Sequence, residues 1–529
     1  MTGNRAAAYA GLVLLVQVAV SLPRLGVPFV EGRAHWTNDD AAMTLRALHS
    51  LDRSIESPWK VFGLARYSYD AAGRETGLVE YAHHPVLAAA LFRAFARVFG
   101  FSEWVSRTFS LAFSLGSTVL LVALLYPFIG AEAAGLCALL YALLPLFYNY
   151  QDAWKHETVA TFLVLLNFML ALRLDDRRTS RIALAATFFL LFQAEWGVYA
   201  IGAGLWLWLW TTRPKRDRSY LTRLAATGAA SALINVWILC KLGFDADAAR
   251  RQALYRMSAG LEGVSAGAWL SRQLGFLDLN FAWPNALALA GLLGWSAWRS
   301  SRDYWKRPLP AFGLMTTAAA LAWVVCFRNL SCVHHYHQWY LGLGYVLLLA
   351  AALERMRKSR AALALLVPLL AASAYGARRL EAMIHDGDFA SAADVAAIRD
   401  WKGRLIVPSD GSAGPRDWWI SPNVALYADP HYKAWLLGGD RAAIRGGWTP
   451  LEDVRAVEPA ADLVVTLHDR AAAAKAAGGL RRLGVARLAF AFQSPRFAFW
   501  RPVVTGDGDD ASAGRPSPSP RSARPRRAR

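Results

Sequence analysis

Eleven apolar stretches, separated by loops whose Arg and Lys fall on alternate sides, constrain this chain more than any other feature. They run Ala6–Leu22, Trp104–Tyr126, Ala133–Phe147, Thr158–Leu172, Ile182–Ala194 and Gly197–Trp210, then Leu224–Leu242, Pro284–Trp298, Pro310–Phe327, Trp339–Leu353 and Ala361–Tyr375. Several approach the ~20 residues that a bilayer-spanning helix needs, and a few are shorter. Basic clusters lie at Arg173–Arg181, Arg213–Arg223, Arg299–Arg307 and Arg355–Arg360. All four share one side if the N-terminus with Arg5 is cytoplasmic and eleven helices cross, which predicts an N-in, C-out topology. The segment between Arg181 and Arg213 is basic at both flanks, so it must cross and return. Two short helices turning at Glu195-Trp196-Gly197 meet that requirement, and one long helix does not.

Composition agrees with a polytopic α-helical membrane protein. The chain is 55% hydrophobic and 18% charged, whereas a soluble domain is charged at roughly a quarter of its positions. The net charge of +19 comes largely from the cytoplasmic loops and from Pro516–Arg529. Anionic lipid on the inner leaflet accounts for it, and nucleic acid is not implied as a partner. Three cysteines lie in or beside apolar runs and Cys332 lies in an outer loop, with no metal spacing and no disulfide framework. Residues Met1–Ser21 also have the outline of a cleavable signal, but a retained first helix suits the remaining topology better.

The chain divides into a membrane region at 1–375, with a large outer loop at 23–103, and a soluble region at 376–506. In the latter, short strands are predicted at Arg404–Pro408, Asp462–His468 and Arg487–Gln493, alternating with helices at Ala390–Trp401 and Arg470–Gly478. That order predicts a small exoplasmic α/β domain. Residues 507–529 are dominated by Gly, Asp, Ser, Pro and Arg and are predicted to be disordered.

Chemistry-bearing residues concentrate in the outer loops. Asn38 is positioned as a helix N-cap before Asp39 and Asp40. Paired carboxylates there complement the helix dipole, and an exoplasmic carboxylate beside the membrane can also accept a proton from an acceptor hydroxyl or amine. His83 and His84 precede Pro85, which suits a helix start, and Pro85–Phe99 carries an apolar stripe fit for the membrane interface. The two histidines are either exposed loop residues or ligands of a phosphate at the helix N-terminus. In the loop Tyr148–Glu157, Asp152 and Glu157 are candidates beside the less certain Lys155 and His156, while Tyr150 and Trp154 suit an interface belt. The loop Arg328–Tyr340 gathers Arg328, His334, His335, Tyr336 and His337; Arg offers a fixed fork and His a tunable donor for a phosphate. Glu195 and Lys241 are weaker outer-end candidates.

An acidic pair after the first membrane helix, the sequence His84-Pro85-Val86-Leu87 and some eleven crossings resemble the GT-C glycosyltransferases. The resemblance is to the glycosyltransferase 39 group, which includes protein O-mannosyltransferases and the bacterial aminoarabinose transferases of lipid A. It covers roughly Ala6–Leu353, with Asp40 where members often carry Glu and Val86 where they often carry a second Pro. It implies a polyprenyl-phosphate sugar donor, inversion at the sugar, and a lipid, glycan or protein acceptor on the exoplasmic face of the plasma membrane. It also implies an acidic residue near the substrate in the Asp152–Glu157 loop and a late His/Tyr loop facing the lipid phosphate.

These residues give a concrete expectation. Asp39 is the general base and Asp40 orients it or the acceptor. His83, His84, Arg328, His334 and His335 hold the donor phosphate, and Asp152, Glu157 and Tyr336 contact substrate. No cofactor follows from the sequence; a divalent metal stays open, because two adjacent Asp are not a complete magnesium site. Two rival classes are a transporter or flippase and a polymer-assembly protein without a lipid-monophosphate donor. A transporter places ionisable groups at mid-membrane, whereas the polar clusters here sit at the outer ends of the spans.

Overall fold

In the computed structural model, the residues described are 2–29, 38–52, 62–69, 75–82, 84–174, 177–254, 257, 265–298, 302–356, 363–385, 392–408, 410–411, 422–437 and 447–505. His83 and the basic tail expected to be disordered lie outside them.

Each of the eleven apolar stretches is mostly helical over its described residues. The membrane region begins with α1 (Thr2–Leu25). The outer loop follows as α2 (Asn38–His49), an antiparallel hairpin of β1 (Leu64–Tyr69) and β2 (Glu75–Tyr81), and α3 (Val86–Phe99). Then come α4 (Glu103–Ile129), α5 (Ala131–Leu143), α6 (Pro145–Tyr150) and α7 (His156–Leu172). Pro145 at the first position of α6 breaks the third stretch into two helices. The segment with two basic flanks forms α8 (Arg178–Leu191) and α9 (Val198–Thr212), turning through Glu195 as its charges require. Next are α10 (Arg218–Lys241), α11 (Ala246–Leu254), α12 (Ala266–Phe281), α13 (Trp283–Trp298), α14 (Arg302–Lys306), α15 (Pro308–Cys326), α16 (Arg328–Val333), α17 (Trp339–Arg355) and α18 (Leu366–His385).

Among the described residues, four helices are each long and apolar enough to cross a membrane: Asn4–Leu25, Glu103–Ile129, Lys215–Lys241 and Pro308–Cys326. The sequence reading assigned one helix at Pro284–Trp298. That helix is present as α13, but it is preceded by an unforeseen α12, and the two form a pair bent by 108°, with Ala282 at φ 60° in the joint. Polar side chains on α12 hid it from a search for apolar runs.

The helices α15 and α17 approach closely at glycine. A Cβ at Gly344 would lie 3.0 Å from the Gly313 carbonyl oxygen, and one at Gly313 would lie 2.8 Å from Leu348 Cγ. Small residues at such a crossing let backbones meet, which drives association where lipid is as apolar as the side chains.

The soluble region contains α19 (Ala392–Asp400), β3 (Arg404–Val407), α20 (Pro422–Ala428), α21 (Pro430–Leu437), β4 (Trp448–Pro450), β5 (Asp462–Leu467), α22 (Arg470–Leu480), β6 (Val485–Gln493) and β7 (Phe497–Val504). The sheet order is β4-β3-β5-β7-β6. Strand β3 runs parallel to β4 and β5, while β7 is antiparallel to β5 and β6. All three strands and both helices predicted there are present; β4 and β7 were not foreseen. Strand alternation gives the sheet two apolar faces. Leu405, Leu463, Val465 and Phe499 join the large core shared with the bundle. Ile406, Val464 and Val485 face the other way and meet Ala476 and Leu480 of α22.

Replacing Gly344 with Leu should force α15 and α17 apart at a cost of roughly 1–3 kcal/mol. The solubilised protein should melt at a lower temperature, whereas Gly294→Leu on α13, where a Cβ meets nothing within 4 Å, should melt as the parent does.

Candidate active site

The site is built where α1, α2, α4 and the loop 151–155 meet. That loop faces outward in the predicted topology yet is buried: Asp152 and Trp154 are at most 1% exposed and Lys155 is 5% exposed. A buried loop needs internal partners for its polar groups, and α1 and α4 supply them. Gln17, a polar break in the first apolar stretch, donates to Gln151 Oε1 at 3.3 Å. Ser114 Oγ on α4 donates to the Gln151 carbonyl at 2.8 Å. Arg24 at the end of α1 pairs with Asp152 at 3.0 Å.

Asp39 and Asp40 are neighbours on α2 with different surroundings. Asp40 is fully buried; its Oδ1 accepts from Ser106 Oγ at 2.8 Å and from the Trp154 amide at 2.7 Å. Burial pushes its carboxyl up to about 7, against the pull of Arg107 and these two donors. Asp39 is 43% exposed and pairs with the Lys155 ammonium. Enclosure pushes its carboxyl up, but Lys155, with His334 and His84 beyond, outweighs that and holds it below its ordinary value. Asp39 is therefore ionised near neutral pH while Asp40 is poised. The two carboxylates are committed to different partners, so they do not make a shared cation cradle. Among the described residues no group of three or more His, Cys, Asp or Glu is placed to hold a metal ion.

Lys155 is enclosed by aromatic rings: its Nζ lies 4.0 Å from the Tyr336 ring centre and 5.1 Å from that of Tyr150. Burial would push the ammonium down, but Asp39, Tyr336 and Tyr150 hold it well above its ordinary value. The late His/Tyr loop thus reaches the site through Tyr336 and His334. His335 does not reach it in the expected way. Its Nε2 pairs with the Tyr150 hydroxyl at 3.0 Å and its Nδ1 with Asn280 Oδ1 at 2.6 Å, so both ring nitrogens are spent joining α6, α12 and the turn His335–Gln338. Arg328 is exposed at the start of α16, and its side chain has no interaction with the Asp39–Lys155 pair among the described residues.

His84 stacks on His156 at 4.4 Å, with Tyr81 beside them at 6.0 Å from His84. The expectation that the start of α3 offers amides to a phosphate needs correction. The Val86 amide donates to Asn235 Oδ1 at 3.2 Å and the Leu87 amide to the Gln193 carbonyl at 2.9 Å. The outward residues Leu91 and Val98 are exposed, as an interfacial stripe requires.

The remaining candidates separate. Asp152 is fully buried, pushed up by burial and countered by Arg24 and Arg107; its partner is a structural arginine. Glu157 begins α7, close enough to Asp39, Lys155 and Glu195 to interact with them electrostatically. Glu195 accepts from the Tyr340 hydroxyl at 3.0 Å and is pushed up to about 8 by burial and by Glu157. Lys241 is exposed at the end of α10. Two arginines were missed by the sequence reading. Arg46 lies over the Tyr81 ring at 4.4 Å and acts on the Asp39 side of the site. Seven residues after Asp39 on a helix, it shares that face, a signal available in the spacing. Arg107, fully buried in α4, donates to the Arg24, Leu25 and Val27 carbonyls.

Comparisons with known proteins come out on the same side as the motifs. Residues 83–239 match the family model of dolichyl-phosphate-mannose-protein mannosyltransferases. Among solved structures, the fold is similar to ArnT from Cupriavidus metallidurans bound to undecaprenyl phosphate, with TM-score 0.53 at 14% identity, covering 93% of this chain and 98% of that one. The apo state of the same protein gives TM-score 0.52 at 14% identity, covering 94% and 98%. No curated protein matches the sequence. The chain is thus an integral membrane protein with a GT-C fold, as its own motifs indicated.

Asp40 yields a pH prediction. A carboxyl raised in the folded state stabilises the fold while neutral; that contribution is complete below about 3.8 and is lost as pH rises through about 7. The Asp40→Asn protein should therefore gain melting temperature over the parent as pH is raised from acid to alkaline. A difference that stays constant with pH would show that Asp40 ionises freely.

Proposed function

We propose that this protein is an eleven-crossing membrane glycosyltransferase that moves a sugar, with inversion, from a polyprenyl-phosphate donor to an acceptor at the outer face of the plasma membrane. The N-terminus is cytoplasmic and the soluble α/β domain, 376–506, is exoplasmic. The observation that carries this reading is the half-open Asp39 carboxylate paired with the buried Lys155 ammonium. The family match over 83–239 and the fold shared with ArnT, which was solved bound to undecaprenyl phosphate, support it.

The chemistry follows from that pair. The acceptor oxygen attacks the anomeric carbon, the bond from that carbon to the phosphate oxygen breaks, and the bonding electrons leave with the lipid phosphate. The acceptor proton passes to Asp39. A phosphate leaves readily, so the site's tasks are to take one proton and to hold developing negative charge. Lys155, with His84 and His334 nearby, holds the departing phosphate. Drawing the Lys155 ammonium toward the phosphate removes the charge that keeps Asp39 low. Asp39 thereby becomes more basic as the acceptor proton arrives. Asp40 positions both partners, since its one carboxylate oxygen ties α2 to α4 and to the amide beside Lys155.

Asp39→Asn keeps the side-chain size and removes the proton acceptor, so transfer should fall by roughly two to four decades while expression and melting stay normal. Glu452→Gln, an exposed first-turn carboxylate of the soluble domain, should change nothing. Near-normal transfer by well-folded Asp39→Asn would return this residue to helix-dipole duty.

The donor site gives a second contrast. His334→Ala should weaken donor use by about one to two decades, the worth of roughly 1.5–3 kcal/mol for a charge-assisted contact. Arg328→Ala should leave it unchanged, because Arg328 is exposed. Titration with a polyprenyl-phosphate sugar reads both, and the reverse ranking would move the phosphate to the far end of the loop.

A further inference from the structure

The soluble domain carries a cleft of about 760 Å³ between α22 and the edge strand β6. Arg470, Arg481 and Arg487 line it, with His468, Phe490 and Trp500. It belongs to the sheet face covered by α22, opposite to the face that joins the bundle core. It is therefore separate from the Asp39 site.

The three arginines are exposed, and none has a carboxylate partner among the described residues. Elsewhere in this domain such pairing is available and used: Arg404 meets Asp462 at 2.7 Å, Arg399 meets Asp400 at 2.8 Å and Lys475 meets Asp410 at 2.8 Å. The single acid in the cleft, Asp469, is occupied as the N-cap of α22, accepting from the Ala471 amide at 2.8 Å. The His468 Nε2 is held by the Ser494 carbonyl at 2.7 Å. Net positive charge thus faces the opening, and guanidinium forks match carboxylate and phosphate oxygens.

The aromatic wall narrows the ligand class. Trp500 is fixed by its Nε1 donating to Thr466 Oγ1 at 2.9 Å. Phe490 meets it edge to face at 5.5 Å and is 56% exposed on the edge strand. A large exposed ring backed by a rigid second ring offers a flat apolar face with low ordering cost. Guanidinium groups beside an apolar ring suit a molecule with acidic groups on otherwise CH-rich rings. We propose that this cleft binds an acidic glycan, as the non-reacting part of a polymeric acceptor held away from the transfer site. Sugar rings lie on Phe490 and their carboxylate or phosphate groups pair with Arg470, Arg481 and Arg487. The proposal rests on the glycosyltransferase reading for its biological sense, but its test does not use transfer.

Full-length protein in nanodiscs would be titrated calorimetrically with a galacturonic acid oligomer, a neutral maltodextrin of equal length and inorganic phosphate. The acidic oligomer should bind, and the neutral one should not. Arg487→Glu should weaken binding by about tenfold or more, as loss of a charge-assisted contact implies, and Phe490→Ala should weaken it further. Both residues are exposed, and unchanged melting temperatures would confirm folding. Absence of acidic-oligomer binding, equal binding of the maltodextrin, or displacement of the oligomer by phosphate at equal charge would each overturn the proposal. A protein that binds the oligomer through these residues yet transfers no sugar would sink the enzymatic reading and leave this site standing.

Discussion

A guanidinium buried without solvent near the N-terminal end of α4 is the constraint from which the site follows. Arg107 places its donors on the carbonyls of Arg24, Leu25 and Val27, where α1 ends. Those are orphan acceptors at the negative end of a helix dipole, so a cation satisfies both needs at once. Its charge is answered by Asp40 and Asp152, both buried and both within its field. Removing the guanidinium would leave the buried carbonyl acceptors without a donor, which costs about 1–3 kcal/mol for each. The end of α1, the start of α2 and the loop 151–155 are fixed relative to one another by this arrangement. Only with that frame in place does Asp39 meet Lys155.

The soluble domain braces the same frame from outside. The Tyr427 hydroxyl donates to Glu103 Oε1 at 2.5 Å and accepts from the Phe29 amide at 2.7 Å, bridging the two sides of the outer loop. His49, at the end of α2, accepts the Tyr67 amide on Nδ1 at 2.8 Å and faces Asp429 with Nε2 at 3.1 Å. An amide pointing at Nδ1 places the ring proton on Nε2, toward the carboxylate. Both ends of α2 are thus held: one by the buried charges of the bundle, the other by Asp429 of the soluble region. Exposed Asp39 sits between two fixed points, which keeps a partly open carboxylate in place.

Much of the fold was legible because it is written in local patterns. Apolar runs located the long apolar helices, including the four long enough to cross a membrane, though not α12, and the basic flanks of 181–213 required the hairpin of α8 and α9. The site was less legible. Asp39 and Asp40 stood out as a pair, but their separate fates depend on partners more than sixty residues away, Ser106 and Trp154 for one and Lys155 for the other. Composition flagged the loop 328–340, yet it could not tell which histidine turns inward. That choice belongs to Asn280 on the polar helix α12, which has no apolar signature. Arg107 was hidden for the opposite reason: it lies inside an apolar run, where nothing in the pattern marks it as a fully buried cation.

Why the site uses a lysine can be argued from the same geometry. An arginine facing Asp39 would engage the carboxylate as a rigid fork and stay there, since two parallel bonds are lost together. The Lys155 ammonium is a compact charge on a flexible stem, packed between Tyr150 and Tyr336. Aromatic faces attract it wherever it sits along them, so they lower the cost of moving without holding it to one oxygen. In the reaction proposed above, a charge that can shift from carboxylate to phosphate would couple proton transfer to departure of the phosphate. Asp39 would then be held ionised and weak by Lys155 and would strengthen when a donor phosphate draws the ammonium away. The surrounding buried frame makes that coupling specific, because Asp40 and Asp152 are already committed and cannot take the ammonium in place of the substrate.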